Sequence, residues 1–331
     1  MPLNPGGEVA GLQPQTLALA DLQPFWPEAP GRPLEPLAEA LGQRGLGRPL
    51  WVWPARPKSA PGVYWLMAGA RRRLALLQLG RTTAPALVLP PDLPLAAAVC
   101  LALADNQERG WNQAETALTW HRVTGLGDAV AAEAAPILGL AQSPRLREWC
   151  LAAAELPRPA LESLAAGRLD LENAARLATW DQASQLAALE LFETLLPSKQ
   201  KKREWLSWLE DISRRENISP ARALADPDFQ AARSNLAREG RPAAENNLRR
   251  LLWRRRHPLL AELTDQRTAR VKALALPPSA RLELDPTFED LKFSLNLTFA
   301  TRAEFQKLAD LMGRLAESPV FSAILNDDIN D

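Results

Sequence analysis

The chain has 331 residues, 47% of them hydrophobic, with 39 basic and 39 acidic side chains and a formal net charge of +0. That length predicts two or three compact units with real cores. The balanced charge excludes a global field drawing the chain toward nucleic acid, so any such contact has to come from local patches. Two cysteines, Cys100 and Cys150, and two histidines, His121 and His257, are too few and too scattered for a zinc site or a disulfide framework. A reducing cytoplasm is the expected setting.

Alanine and leucine dominate and β-branched residues are sparse, which predicts a mostly helical α+β protein. Residues 1–21 open on "MPLNPGGEVAGLQPQ", Pro/Gly/Gln-rich, and read as a disordered tail without the basic and apolar regions of a signal peptide. No apolar run approaches a membrane span, so no membrane partner is expected. Residues 22–99 read as a small α/β unit. "LEPLAEALGQRGLG" (34–47) is a helix stopped by Gly42 and Gly45. "RPLWVWPA" and "VYWLMAG" are strands separated by the turn signals Pro57, Pro61 and Gly62, "ARRRLALLQLG" is a helix, and "APALVLP" is a third strand.

Residues 100–197 read as helices alone. At their start lies "ALADNQERGWNQAETALTW", a polar island between two apolar runs. Asp105 and Arg109 are four apart and share a helix face with Asn106. Asp plus Asn suits a hydrated Mg²⁺ and Arg suits a phosphate, the kit a nucleoside triphosphate needs, although an ordinary i,i+4 ion pair at a helix end has the same spacing. In "AGARRRLALLQLG", Gly69 precedes a helix opening on Arg71, Arg72 and Arg73. Free N–H groups and guanidinium forks there suit an anion, while the same run serves equally as a solvated helix face. In "ILGLAQSPRLREWCLAAAELP", Gly139 ends one helix, Ser143 is an N-cap and Pro144 takes the first helical position. The second helix exposes Arg145, Arg147 and Glu148 and buries Leu146, Cys150 and Leu151, which is a helix-turn-helix outline. Short helical corners share that outline.

Residues 198–260 form a basic helical region, with 15 basic against 8 acidic residues from Lys199 to Arg256. Trp205 and Trp253 beside those charges suit phosphate contact or plain solvation. Over 261–318 the period changes: "ARLELDP" and "DLKFSLNLTFA" place Leu282 and Leu284, then Leu291, Phe293, Leu295, Leu297 and Phe299, on one face of two strands, and a helix follows. Such a ββα piece is too small to stand alone, so a two-fold partner that extends the sheet is expected. Residues 319–331 read as an acidic tail.

Taken in order, these pieces resemble the ParB family of DNA-partition proteins, from about Leu22 to Leu315. "LAEALGQRGLGRPLWVWP" looks like that family's first nucleotide-binding stretch, "GARRRLA" like its G-E-R-R-x-x-A segment, and "DNQERGWNQAETA" like its E-N-x-Q-R segment with one residue deleted after Arg109. "ELPRPALESLAAGRLDLENAARL" keeps the spacing of L-P, the turn at Gly167 and A-R at 175 and 176. The resemblance implies a ParB/sulfiredoxin-like N-terminal domain binding CTP with Mg²⁺, a helix-turn-helix domain binding a palindromic double-stranded DNA site, and a C-terminal homodimerisation domain. It also implies a ParA-type ATPase partner and a nucleoid-associated location.

Carried over residue by residue, it assigns nucleotide contacts to Gly45, Arg48, Gly69, Arg71, Arg72, Asn106 and Arg109, and the metal to Asp105. DNA contacts fall to Gln142, Ser143, Arg145 and Arg147, and the dimer face to Phe293, Leu295, Leu297 and Phe299. Arg48 stands where the family has Gln, Ala70 where it has a Glu used for metal and hydrolysis, Glu108 where it has Gln, and Ala152 where an Arg is usual. The turn of the helix-turn-helix is two residues longer, and the N-terminus lacks a clear basic motif for the ATPase partner. No catalytic residue is assigned, and at most a slow CTPase yielding CDP and phosphate is expected. The alternative is a transcription or replication regulator on the same scaffold without the nucleotide switch. An enzyme of another kind, a nuclease or phosphotransferase, finds no paired carboxylates near the arginines.

Overall fold

The computed structural model describes residues 12–54, 62–107, 109–234, 240–284 and 293–325. Glu108, Leu291, Pro57, Pro61, the tail over 1–11 and the acidic end over 326–331 lie outside the described residues. The chain divides into two compact units, 1–247 and 248–331.

The first unit opens with five strands and two helices: β1 (Gln15–Ala18), β2 (Leu22–Pro24), α1 (Glu35–Arg44), β3 (Leu50–Pro54), β4 (Tyr64–Ala68), α2 (Ala70–Gln78) and β5 (Thr83–Val88). They form a mixed sheet of order β1-β5-β3-β4-β2, parallel between β5 and β3 and between β4 and β2 and antiparallel elsewhere. The three strands read from the sequence are all present. β1 and β2 were not anticipated, and β1 sits inside the stretch expected to be disordered. Leu17 packs against the sheet core and Leu19 is fully buried, its N–H donating to the Thr82 carbonyl at 2.8 Å. Sheet pairing thus overrides the local Pro/Gln composition. Gly42, expected to stop α1, lies inside it. Gly45 ends the helix at φ 72°, donating to Leu41 O.

Helices then follow: α3 (Leu95–Gln107), α4 (Gln113–Thr124), α5 (Asp128–Ile137), α6 (Pro144–Ala154), α7 (Arg158–Ala165), α8 (Leu171–Leu177), α9 (Gln182–Leu195), α10 (Lys199–Glu216), α11 (Pro220–Leu224), α12 (Pro227–Ser234) and α13 (Arg241–Arg256). The breaks expected near 99 and 197 do not separate compact units, and α3 shows why for the first. Its Ala97, Ala98, Val99 and Leu101 to Leu103 are buried, and it packs on both β4 and α5, so one helix serves the sheet and the helical layer at once. In the basic region, α10 turns Trp205, Leu206, Leu209 and Ile212 inward with under 1% exposure. Trp205 is therefore core and cannot meet a phosphate, because the helix is amphipathic and its basic side chains, apart from the buried Lys202, lie away from that face.

The second unit contains α14 (Pro258–Ala273), β6 (Ala280–Leu284), β7 (Phe293–Leu297), α15 (Arg302–Ala316) and α16 (Pro319–Leu325), with β6 and β7 antiparallel. α16, with Ile324 buried, replaces the first part of the expected acidic tail. Alternation puts Leu295 and Leu297 against Leu308, Leu311 and Leu315 of α15. Leu295 and Leu297, which the resemblance assigns to a dimer face, are partly buried against the core of their own unit. Phe299, beyond the strand, is 50% exposed and packs edge-on against Phe305 at 5.0 Å between ring centres.

Candidate nucleotide site and nucleic-acid interface

Where β4 ends, the chain turns sharply into α2, and Gly69 makes the turn at φ 97°. A Cβ there would lie 2.7 Å from Leu50 Cδ2 and 3.2 Å from the Arg72 guanidinium, so the position needs glycine on both counts. The turn aims Arg71 and Arg72 at the end of α3. Arg72 donates to the carbonyls of Arg48 and Pro49 at 2.8 and 2.9 Å and to Asp105 Oδ2 at 3.0 Å. Arg48 reaches the other oxygen, Asp105 Oδ1, at 3.9 Å. Burial drives the Arg72 guanidinium below its usual range, and Asp105 opposes that shift. Arg71 donates to the Pro33 carbonyl at 2.6 Å. Its pKa is lowered by burial first and then by the charges of Arg32 and Arg109.

A second knot lies at the start of α4. Asn112 caps the helix by accepting from Glu115 N–H at 2.8 Å, and Glu115 Oε2 accepts from Asn112 N–H at 3.0 Å, a reciprocal capping box. The same carboxylate accepts from Arg32 at 3.0 Å and from Arg109 at 2.7 Å. Burial pushes Glu115 upward, but the Asn112 N–H and the guanidiniums of Arg109 and Arg32 outweigh it and hold the acid below its usual range. Arg109 also donates to Asn106 Oδ1 at 3.0 Å, while Asn106 donates to Ala102 O at 3.0 Å.

The structure thus joins Arg48, Gly69, Arg71, Arg72, Asp105, Asn106 and Arg109 in one neighbourhood and leaves Gly45 at the end of α1. Arg32 and the central role of Glu115 were missed. Arg32 sits in a short Pro/Gly segment without periodicity, but the N-x-x-E spacing of a capping box was available at 112–115. Five guanidiniums face two carboxylates, an excess of three positive charges among the described residues. The Arg32 guanidinium donates to the Gly110 carbonyl at 2.9 Å as well as to Glu115. That charge balance fits a polyphosphate. The donor set fits Mg²⁺ poorly: Asp105 Oδ2 and both oxygens of Glu115 already accept from guanidiniums, and Arg48 stands 3.9 Å from Asp105 Oδ1.

The helix-turn-helix outline is present as α5, a turn at Gly139 (φ 72°) and α6, capped by Ser143 accepting from Leu146 N–H at 3.2 Å. Gln142 and Arg145 are exposed, and the Arg145 guanidinium lies 4.9 Å over the Trp149 ring beside a cleft of about 580 Å³. Arg147 behaves differently from the expectation. It donates to the carbonyls of Leu140 and Ala141 and lies over Trp120, so it ties the turn to α6 and α4. Those carbonyls lie in the turn between α5 and α6, outside either helix ladder, and Arg147 supplies them with donors. Cys150 is buried as expected, its thiol pushed up to about 12 by burial.

No family model matches the chain, and no curated protein does. Among solved structures, the chain is similar to the C-terminally truncated chromosome-partitioning protein ParB from Caulobacter crescentus complexed to the centromeric parS site, at 23% identity over 57% of this chain and 96% of that one, with a TM-score of 0.30. The same protein complexed with CTP-gamma-S matches at 24% identity over 54% and 97%, with a TM-score of 0.25. A Pnob8-like ParB-N domain matches at 15% identity over 74% and 97%, with a TM-score of 0.28. The chain is therefore similar to ParB-type proteins, at scores that transfer neither ligands nor residue roles to it.

Proposed function

We propose that this chain is a ParB-like, sequence-specific DNA-binding protein whose first unit carries a polyphosphate site, with CTP the nucleotide implied by the sequence resemblance. The observation that carries the reading is the arginine surplus around Asp105 and Glu115, held in the same compact unit as a capped helix-turn-helix. α6 is the reader, with Ser143 at its start and Gln142 and Arg145 facing outward to base edges and phosphates. A nucleotide-gated, homodimeric clamp that serves partition with a ParA-type ATPase is the fuller form of the proposal. In the second unit the dimer face is then Phe299 with Phe305 and Met312, exposed apolar side chains just after β7 and on α15. The regulator without a nucleotide switch is favoured by one feature, the two guanidiniums on Asp105.

The test is a pull-down of genomic fragments with the full chain, with and without CTP, followed by affinity measurement on the enriched sequence. A single palindromic site, bound at least about 10³-fold more tightly than random DNA, supports the reading. Absence of any enriched sequence refutes it. Enrichment indifferent to CTP leaves the regulator.

A further inference from the structure

The resemblance implies Mg²⁺ beside the nucleotide, and the donor set disagrees. We infer that this site takes its polyphosphate free of a divalent ion, the guanidiniums of Arg48 and Arg72 standing in the cation's place on Asp105. The inference rests on the polyphosphate reading proposed above and deepens it.

Three observations carry it. The carboxylate that would face a metal is already the acceptor of Arg72 at 3.0 Å, with Arg48 at 3.9 Å on its other oxygen. Arg72 is not a loose partner, since two further carbonyls accept from it and its guanidinium covers Gly69. A divalent ion on Asp105 Oδ2 would have to displace Arg72, which three acceptors hold, and one on Oδ1 would stand beside two guanidiniums. Position 70, next to the arginines, holds alanine and offers no carboxylate in compensation. Glu115, the remaining described carboxylate, is saturated by Arg32, Arg109 and the Asn112 N–H.

Charge points the same way. Among the described residues five guanidiniums stand against two carboxylates, a balance that favours a highly charged anion. A free nucleoside triphosphate carries more negative charge than its magnesium complex, so the surplus favours the free form. Arg48, with 63% of its side chain exposed, is reachable by a phosphate, while Arg72 keeps the carboxylate neutralised.

The experiment is calorimetric titration of the full chain with CTP, and separately with inorganic tripolyphosphate, in EDTA and in excess Mg²⁺. The inference expects the dissociation constant in EDTA to equal or undercut that in Mg²⁺ for both ligands. It expects Arg48→Gln, a change at an exposed side chain, to weaken the EDTA titration severalfold while the circular dichroism spectrum is unchanged. CTP affinity that falls tenfold or more in EDTA overturns the inference and leaves the polyphosphate reading standing. If that dependence vanishes in Glu108→Gln, the ion is held through Glu108, and the inference is equally overturned. No binding in either medium overturns the polyphosphate reading itself. A second readout, broadening of Mn²⁺ resonance on adding protein and CTP together, is expected to match CTP alone, and extra broadening counts against the inference.

Discussion

Glu115→Gln isolates the charge at the centre of the arginine cluster. Glu115 is 6% exposed, and its carboxylate accepts from Arg32, Arg109 and the Asn112 N–H. Glutamine keeps an acceptor for the capping box but removes the negative charge between two guanidiniums. Removing one partner of a buried ion pair costs about 3–5 kcal/mol. Here the arginine side chains are 28% and 32% exposed, so water recovers part of their solvation and the expected loss is roughly 2–3 kcal/mol. Glu115→Ala also removes the box, worth about 1 kcal/mol more. Ten of the eleven tryptophans lie in the first unit, so urea unfolding followed by tryptophan fluorescence reports on that unit. The folded pKa of Glu115 is lowered, so its stabilisation is present above its ordinary value of 4.5 and is lost as pH falls through the folded value. The gap between native chain and Glu115→Gln should therefore be full at pH 7 and shrink below about pH 4.5. A Glu115→Gln chain within about 0.5 kcal/mol of the native one at pH 7 would refute the reasoning, because an ordinary surface substitution does no more.

Gly69→Ala should lower stability by about 1–3 kcal/mol in the same assay, since a side chain at positive φ is strained and its Cβ meets Leu50; an unchanged midpoint would sink that account. Arg145→Ala should leave stability within about 0.5 kcal/mol yet weaken binding to the selected DNA by about tenfold or more. Arg147→Ala should do the reverse in order of effect, destabilising by roughly 1.5–3 kcal/mol through two lost charge-assisted bonds; equal unfolding midpoints for the two variants would contradict the division of roles. Phe299→Glu with Phe305→Glu should convert a dimer to monomers in sedimentation without unfolding the second unit, whose core lies on Leu308, Leu311 and Leu315; a dimer that survives both changes places the interface elsewhere.

Periodicity carried most of the helices and the three inner strands, because there the apolar spacing and the breaking residues agree. It missed β1 and β2, four and three residues long, whose existence depends on sheet partners about seventy and forty residues away in sequence. The site was legible in its arginines and in Asp105, which stand in clusters, and not in Arg32, which reaches Glu115 across 83 positions. Role was harder to read than place. Arg145 and Arg147 look alike in sequence, and only the geometry of the turn separates an outward side chain from one consumed by two carbonyls.

α4 ties the two halves of the first unit together. Its first turn carries Glu115, the anion that fixes Arg32 and Arg109, and its buried face carries Trp120, over which Arg147 lies. Glu115 and Trp120 are five residues apart, roughly 7–8 Å along a helix that does not bend easily. An anion that drew Arg32 or Arg109 away from Glu115 would leave that buried carboxylate short of donors, and the first turn of α4 would have to adjust. Because α4 packs directly on α6, an adjustment at one end bears on the seat of Arg147 and hence on the turn that aims the reader helix. One helix and five named side chains thus make a continuous path from the proposed pocket to the proposed reader helix, the path along which any coupling between them would have to run.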